Sequence, residues 1–542
     1  MIILYIGQFI LLCLAVFFSL VRSNFPIHML QLEGYDNNLY RDYIKSNREK
    51  IGKIFYMPEK NPKLPLVWTD RAKRLLKTHK FVNYGFWVAT VIIGQIVYKN
   101  SNLWIGLFFT TISLFLIYYF EYRILLISNA IAKPKEDRIN AGFYHEAQEK
   151  IKRLKAENSL KVIGITGSFG KTSVKFITDI ILKEKFRVLH TPSSFNTPMG
   201  LSKVINNELN DSHQIFIAEL GAKVPGEIKE VAELVMPDMG VITAIGPTHM
   251  QFFKTIENIQ KTKYELIEAL PQDGLAIFNC DNEFLKPLAD KTKLKTYRYG
   301  MEDTEKLDIY AKDIEVFEKG SKFTLVIRGK GEINCQTKLL GAHNISNILA
   351  GVSFAHLLGM TLEEIQRGIE KVEGVEHRLN IIDGGRGVIV IDDAFNSNPV
   401  GFRAALDVIS QFKNGNKIII TPGMVELGEM EEEENYKIGK EMAKNIDYAI
   451  LVGKKRTEPI KKGLIENKFK EENIFSVSSL DEATKILGNL TRQGDVVLFE
   501  NDLPDNYDEE WFDVKCRSFF WWKIMWAWSF SNNGSTNYRK YG

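Results

Sequence analysis

One segment limits the fold more than any other. The apolar run Lys161-Val162-Ile163-Gly164-Ile165-Thr166 is followed at once by Gly167-Ser168-Phe169-Gly170-Lys171-Thr172-Ser173, then by an amphipathic stretch to about Lys183. A β-rich run, a glycine turn and a helix that starts with Lys-Thr form the arrangement that encloses a triphosphate. Glycines let backbone N–H groups close around phosphate oxygens. The helix N-terminus adds positive potential, a lysine neutralises charge and a threonine hydroxyl ligates Mg²⁺. Such a strand lies in a parallel sheet covered by helices, so the fold expected is α/β. The spacing is shorter than G-x-x-x-x-G-K-[ST], because Ile165 stands where the first glycine would be.

Further strand ends downstream carry residues suited to the same chemistry. The apolar run His213–Ala218 ends at Glu219, and a carboxylate at the end of a parallel strand beside a phosphate loop is well placed for Mg²⁺. The run Gly240–Gly246 leads to Pro247-Thr248-His249, and a helix expected over about 255–269 carries Lys263. Taken singly, His249 reads as a satisfied core or surface histidine and Lys263 as a solvated helix lysine. Asn344 and Asn347 begin another helix, where asparagine serves equally as a cap or as a donor–acceptor for a base. Strands near Val388–Ile391, Lys417–Thr421, 448–452 and 495–499 predict a second, smaller doubly wound sheet.

In order along the chain, these motifs resemble the Mur ligase family. The loop T-G-x-x-G-K-T-S is similar to the family's short phosphate loop. The segment Asn196-Thr197-Pro198-Met199-Gly200 resembles its N-T-x-x-G segment near the incoming precursor, and Gly341–Ala350 resembles its G-x-H-N-x-x-N-x-L-A helix start. Asp392-Asp393-Ala394-Phe395-Asn396-Ser397-Asn398-Pro399 and Gly423–Gly428 are close to motifs of the members that add D-alanyl-D-alanine to a peptidoglycan precursor. The resemblance implies an ADP-forming ligase that makes an amide bond through an acyl phosphate. It implies ATP contacts from Gly167, Ser168, Phe169, Gly170, Lys171, Thr172, Ser173, Asn344, Asn347, Arg378 and Asp393. It implies two Mg²⁺ sites, one on Thr172 and Glu219 and one on His249 and carbamylated Lys263. Catalytic roles fall on Lys171, His249, Lys263 and Arg378, and substrate contacts on Asn196, Thr197, Asn396 and Asn398. The partners implied are a cell-wall precursor and a dipeptide or amino acid. A ligase for another envelope or poly-amino-acid acceptor is the alternative, because the chain departs from the family twice. It lacks the N-terminal domain that grips a UDP group, and Glu500-Asn501-Asp502 stands where the family has a basic K-G-S turn.

In place of that domain, residues 1–155 read as a membrane anchor, with apolar runs at about 2–20, 84–98 and 103–120. No basic region precedes the first run and no small-residue cleavage site follows it, which argues against a signal peptide. Thirteen Lys and Arg lie between Arg22 and Lys80, a stretch expected to be a cytoplasmic loop with short helices interrupted by Pro26, Pro58, Pro62 and Pro65. Only Lys99 lies in the turn between the second and third runs, so the basic segments and the catalytic part are expected inside the plasma membrane, against anionic lipid. The domains expected are 1–155, a central ATP-binding domain 156–375, a C-terminal domain 376–508 and a tail 509–542. Five of the eight tryptophans lie in that tail, which reads either as an interfacial helix or as an altered frame after a terminus near 509. With 70 basic and 67 acidic residues, no bulk charge points to nucleic acid. The four cysteines are too scattered for a disulfide framework or a zinc knuckle.

Overall fold

The computed structural model describes residues 2–46, 51, 66–193, 195–317, 320–375, 377–385, 387–394 and 397–503. They divide into two compact units, one up to Gly142 and one from Phe143 onward. The first unit is helical: α1 (Ile2–Leu32), α2 (Asn37–Ser46), α3 (Asp70–Asn100), α4 (Leu103–Tyr119) and the part of α5 (Glu121–Asn158) up to Gly142. Phe9–Leu32 and Asp70–Asn100 are long and apolar enough to cross a bilayer. With 17 residues, α4 meets that test only together with α5, from which it is bent by 69°.

The apolar runs expected at 2–20 and 84–98 are therefore parts of longer helices. The stretch 22–80, expected to be a loop with short helices, is helical over 22–32, 37–46 and 70–80, and Pro26 lies inside α1. Packing explains the difference. The extension of α1 buries Phe25, Ile27, Met29 and Leu30 against Tyr40, Leu75, Tyr122 and Leu125, which outweighs the lost backbone hydrogen bond at the proline. Residues 47–50 and 52–65, with Pro58, Pro62 and Pro65, and the tail 509–542 lie outside the described residues. The polar turn between α3 and α4 is present, with the Asn102 side chain accepting from Ile105 N at 3.0 Å to cap α4.

The second unit carries two sheets. Among the described residues the larger holds β1 (Lys161–Thr166), β2 (Val188–His190), β3 (Ile215–Glu219), β4 (Met239–Ile242), β5 (Leu275–Asn279), β6 (Lys295–Gly300), β7 (Ile309–Phe317), β8 (Gly320–Ile327) and β9 (Gly331–Thr337), in the order β2-β3-β1-β4-β5-β6-β7-β8-β9. Pairing is parallel from β2 to β7 and antiparallel over β7-β8-β9. The parallel strands are covered on both faces, which is why they read as unbroken apolar runs. One face buries Ile163, Ile165, Ile217 and Val241 against Val174 and Ile177 of α6 (Lys171–Leu182) and against Ile345, Ile348 and Leu349 further on. The other buries Val162, Phe216 and Ala218 under α7 (Pro198–Asn207) and α8 (Glu227–Val235). Two further helices complete the site's supports, α9 (Ile256–Glu268) and α10 (Ala342–Leu357).

The smaller sheet runs β10-β11-β15-β12-β13-β14, from β10 (Asn380–Asp383), β11 (Ile389–Asp393), β12 (Lys417–Thr421), β13 (Tyr448–Val452), β14 (Ile474–Val477) and β15 (Val496–Glu500). It is parallel apart from the edge strand β10. Ile391, Ile419 and Leu498 pack beneath α11 (Pro399–Ser410) and α12 (Glu431–Asn445). Both sheets match the α/β expectation of mostly parallel strands.

Within the first unit, a buried polar cluster ties α3 to the start of α5. His79 donates or accepts at Ser128 Oγ (2.9 Å) and Glu121 Oε1 (2.8 Å), and Asn83 Nδ2 donates to the same carboxylate oxygen at 3.0 Å. His79, Glu121 and Ser128 are fully buried, so each depends on the others for its hydrogen bonds. His79→Leu leaves Glu121 in an apolar setting with one fewer partner. It is expected to lower the stability of the helical unit by about 3–5 kcal/mol. Denaturant unfolding in detergent, followed by Trp87 fluorescence, checks this, and a loss below about 1 kcal/mol would show that the cluster is not a structural tie.

Candidate active site

The phosphate loop forms where β1 ends and α6 begins. Gly167 has φ +154° and Gly170 has φ +81°, and a Cβ on Gly167 would stand 2.1 Å from Thr243 Oγ1, so the loop closes only with glycine there. Thr243 Oγ1 in turn donates to the Phe169 carbonyl, and Ser168 N bonds the Ala244 carbonyl at 2.8 Å, which fixes the loop against the end of β4. Lys171 folds over its own loop, with Nζ donating to Gly167 O at 2.8 Å. Burial lowers its pKa and the charge on Glu219 offsets part of that.

Glu219, at the end of β3, is the hub. It is 1% exposed. Its Oε2 accepts from Thr172 Oγ1 and from Lys175 Nζ, each at 3.1 Å, and its Oε1 accepts from Asn196 Nδ2 at 3.1 Å. Burial alone would raise its pKa. Lys175, Lys171 and the Asn196 hydrogen bond more than offset that, so the carboxylate is held below its ordinary range. Glu219 with the Thr172 hydroxyl beside it would supply hard oxygen ligands to a nucleotide-bound Mg²⁺.

A cavity of about 160 Å³ opens over this hub. Its walls come from both sheets: Ser168 to Ser173, Asn196, Glu219 and His249 on one side, Arg378, Ser397, Asn398 and Glu426 on the other. His249, at φ +51°, pairs through Nδ1 with Glu426 Oε2 at 2.5 Å, so the two domains meet in a side-chain pair at the mouth of the site. Arg378 is half-buried, and desolvation lowers its pKa against the opposing charges of Asp393 and Glu219. Asn398 caps α11, its Oδ1 accepting from Val400 N and Gly401 N. A second cavity, of about 430 Å³, shares Phe169 and is lined by Ala244, Gly246, Asn279, Asp281, Asn282, Val400 and Met430.

Not every residue singled out from the sequence lines the first cavity. Lys263 on α9 is 2% exposed and lies over the Phe253 ring at 5.8 Å, so the solvated-helix reading does not hold. Burial, then repulsion from Lys171, pushes it down to about 7, which leaves much of it as neutral amine near neutral pH. Asn344 and Asn347 bond each other at the start of α10 and line neither cavity, though Asn347 Oδ1 reaches within 2.9 Å of where a Gly170 Cβ would be. Thr197 caps α7 through Gly200 N at 3.3 Å, and Asp393 stands behind Arg378. Asn396 lies outside the described residues. Three residues were passed over in the sequence. Lys175 stands one helical turn after Lys171, a spacing that could have pointed to it. Glu426 and Ser397 were noticed only as parts of motifs.

Two family profiles match the chain, Mur ligase middle domain over 165–355 and Mur ligase, glutamate ligase domain over 377–500. The chain is 29% identical over 356 residues to the UDP-N-acetylmuramoyl-tripeptide--D-alanyl-D-alanine ligase of Bacillus subtilis, covering 65% of this chain and 75% of that one. It is 30% identical over 296 residues to the protein of the same name from Escherichia coli, covering 54% of this chain and 65% of that one, just under two thirds of the relative's length. Among solved structures, MurF from Acinetobacter baumannii matches with TM-score 0.60 at 27% identity, over 67% of this chain and 77% of that one. The MurF ligase of Thermotoga maritima in complex with ADP matches with TM-score 0.59 at 26% identity, over 67% and 80%.

The hub makes a stability prediction with a defined pH dependence. Glu219 has a lowered pKa in the folded chain, so its stabilising contribution is present above its unfolded pKa and is lost as pH falls through the folded one. Lys175→Met is expected to cost about 3–5 kcal/mol at neutral pH by leaving the buried carboxylate short of its nearest cation. The deficit should shrink in acid, where Glu219 is protonated in both proteins. Urea unfolding at neutral and acid pH checks this, and a deficit independent of pH would contradict it.

Proposed function

The chain belongs to the Mur ligase family of ATP-dependent ligases, and we propose from that premise that it adds D-alanyl-D-alanine to the peptide of a peptidoglycan precursor. The observation that carries this reading is the cavity whose two walls bring the phosphate loop and Glu219 opposite Arg378 and Glu426. A phosphate-binding wall and a second wall on a separate sheet are what a reaction with a phosphorylated intermediate and a later amine attack requires.

In this reading the triphosphate lies along the loop Gly167–Ser173, with Lys171 and Arg378 offsetting charge on the phosphates. The larger cavity beside Phe169, apolar with amide groups at its rim, takes the adenosine. Thr172 and Glu219 would hold Mg²⁺, which when bound draws charge from the phosphates. A carboxylate of the precursor, held near Asn196 and His249, attacks the γ-phosphorus and becomes an acyl phosphate as the bond to the β,γ-bridging oxygen breaks and ADP leaves. The amine then attacks the acyl carbon from the C-terminal wall, where Asn398 and Glu426 stand, and phosphate leaves. Lys263 is the candidate for carbamylation, since only a neutral amine adds to CO₂ and burial brings this one down to about 7, where a large share is neutral at neutral pH. With His249 it would complete a second Mg²⁺ site.

The helical unit supports a further part of the reading, that the enzyme works at the inner face of the plasma membrane. Two helices with the length and apolarity to cross a bilayer precede the catalytic unit, and many of the thirteen Lys and Arg between Arg22 and Lys80 could meet anionic lipid or a pyrophosphate-linked precursor. The regions matched to the family span 165–355 and 377–500, and the helical unit lies outside both.

Phosphate release by the full-length protein in detergent tests the reading. It should require ATP, the tripeptide precursor and D-alanyl-D-alanine together, and Lys171→Ala should reduce it by about a hundredfold or more. Release that ignores the dipeptide, or a fully active Lys171→Ala protein, would contradict it.

A further inference from the structure

Behind the C-terminal wall lies an acidic pair to which the reaction as described gives no task. Asp393 ends β11 and Glu500 ends the neighbouring parallel strand β15, directly opposite each other in register. Glu500 is 1% exposed. Its Oε1 accepts a hydrogen bond from the Ser397 hydroxyl at 2.5 Å, and Ser397 is itself part of the wall of the cavity over the phosphate loop. Its Oε2 meets no donor among the described residues, and the Asp393 carboxyl is within hydrogen-bonding reach of the same group. A buried carboxyl is costly to ionise beside a second one, so the two share a proton. Burial and the charge of Asp393 push Glu500 well above the carboxylate range. Burial pushes Asp393 up to about 6, with Arg378 pulling the other way. The other titratable groups near the pair are Asp392 and the His377 hydrogen-bonded to it at 2.8 Å.

Amide formation needs a base on this side of the cavity. The amine arrives as an ammonium ion, which has no lone pair, and must lose one proton before it can attack. Lys171 and Arg378 face the phosphates as charge-offsetting groups, and Glu219 is already engaged by Thr172, Asn196 and Lys175. His249 and Glu426 are bonded to each other.

Building on the ligase reading above, we propose that the Glu500–Asp393 pair, reached through the Ser397 hydroxyl, takes the proton that the incoming amine loses before it attacks the acyl phosphate. The ammonium gives a proton to Ser397 Oγ as Ser397 gives its own to Glu500, and Glu500 passes the proton it shared to Asp393. The nitrogen then bonds to the acyl carbon. The bond from that carbon to the phosphate oxygen breaks, and the second proton of the nitrogen leaves with the phosphate. Charge and atoms balance: acyl phosphate and ammonium become amide, hydrogen phosphate and one proton held by the pair. Glu500 acts through Ser397 and is a positioning residue in this scheme.

Hydroxylamine separates the relay from the rest of the reaction, because it is already unprotonated at neutral pH and traps acyl phosphates as hydroxamates. With full-length protein, ATP and the tripeptide precursor, Glu500→Gln is expected to form hydroxamate at the wild-type rate. With D-alanyl-D-alanine as nucleophile its rate should fall by about a hundredfold or more at neutral pH. That deficit should shrink as pH rises through the dipeptide amine's own pKa, about 8. Ser397→Ala, which keeps both carboxyls and removes only the hydroxyl between them and the cavity, should show the same split and carries the test if Glu500→Gln does not fold. Equal loss with both nucleophiles, a deficit that ignores pH, or a wild-type amide rate in both variants would overturn the relay. Absence of hydroxamate from the wild-type protein would overturn the ligase reading and the relay with it.

Discussion

A carboxylate kept ionised where water does not reach it is the constraint that organises the catalytic unit. Glu219 is buried at the end of a central strand, where desolvation alone would drive it to its neutral form. Three groups from two segments prevent this: Lys175 and Lys171 from the helix after the phosphate loop, and Asn196 from the segment after β2. Their convergence depends on the parallel register of β1 with β3, which sets Ile165 against Glu219 and so puts the loop and the carboxylate side by side. The glycines of the loop, the close approach to Thr243 and the cap of α7 by Thr197 all serve the same few ångströms of geometry.

The second sheet adds what the first cannot. A phosphate site alone turns over nucleotide; an amide bond also needs a wall on which a nucleophile can be held against an activated carbonyl. Most of that wall comes from the C-terminal ends of β11 and β12, where parallel α/β sheets carry their ligand-binding loops. The pair between His249 and Glu426 links the two walls directly, so the cavity exists only while the domains are together. A ligase whose domains separate would open the site to water and to release of product.

The local strand–loop–helix was legible almost to the residue, because glycine positions and apolar runs are backbone requirements written into consecutive residues. Glu219 and His249 were legible as strand-end residues. Lys263 was legible only by resemblance, and the structure supplies the physical reason to single it out, its burial and its partly neutral amine. What remained hidden depends on pairing across long separations. Lys175 gains meaning only from Glu219, Glu426 only from His249, and Ser397 only from Glu500, which stands 103 residues away. The antiparallel strands β7 to β9 escaped notice because half of their side chains face solvent and the runs are short of the unbroken apolar pattern of β1 to β5. In the helical unit, the proline signal at Pro26 was overridden by packing of Phe25, Ile27 and Leu30.

The acidic Glu500 first stood out as a departure in the sequence, and its burial beside Asp393 gives that departure a physical setting. The central claim nevertheless rests on Glu219 as the anion that couples metal to nucleotide. Calorimetric titration of ATP into the full-length protein, with and without Mg²⁺, tests it most directly, comparing wild type with Glu219→Gln. The account predicts that Mg²⁺ strengthens ATP binding to the wild-type protein by about tenfold or more and leaves the variant's binding unchanged. The same Mg²⁺-dependent gain in both proteins would contradict it.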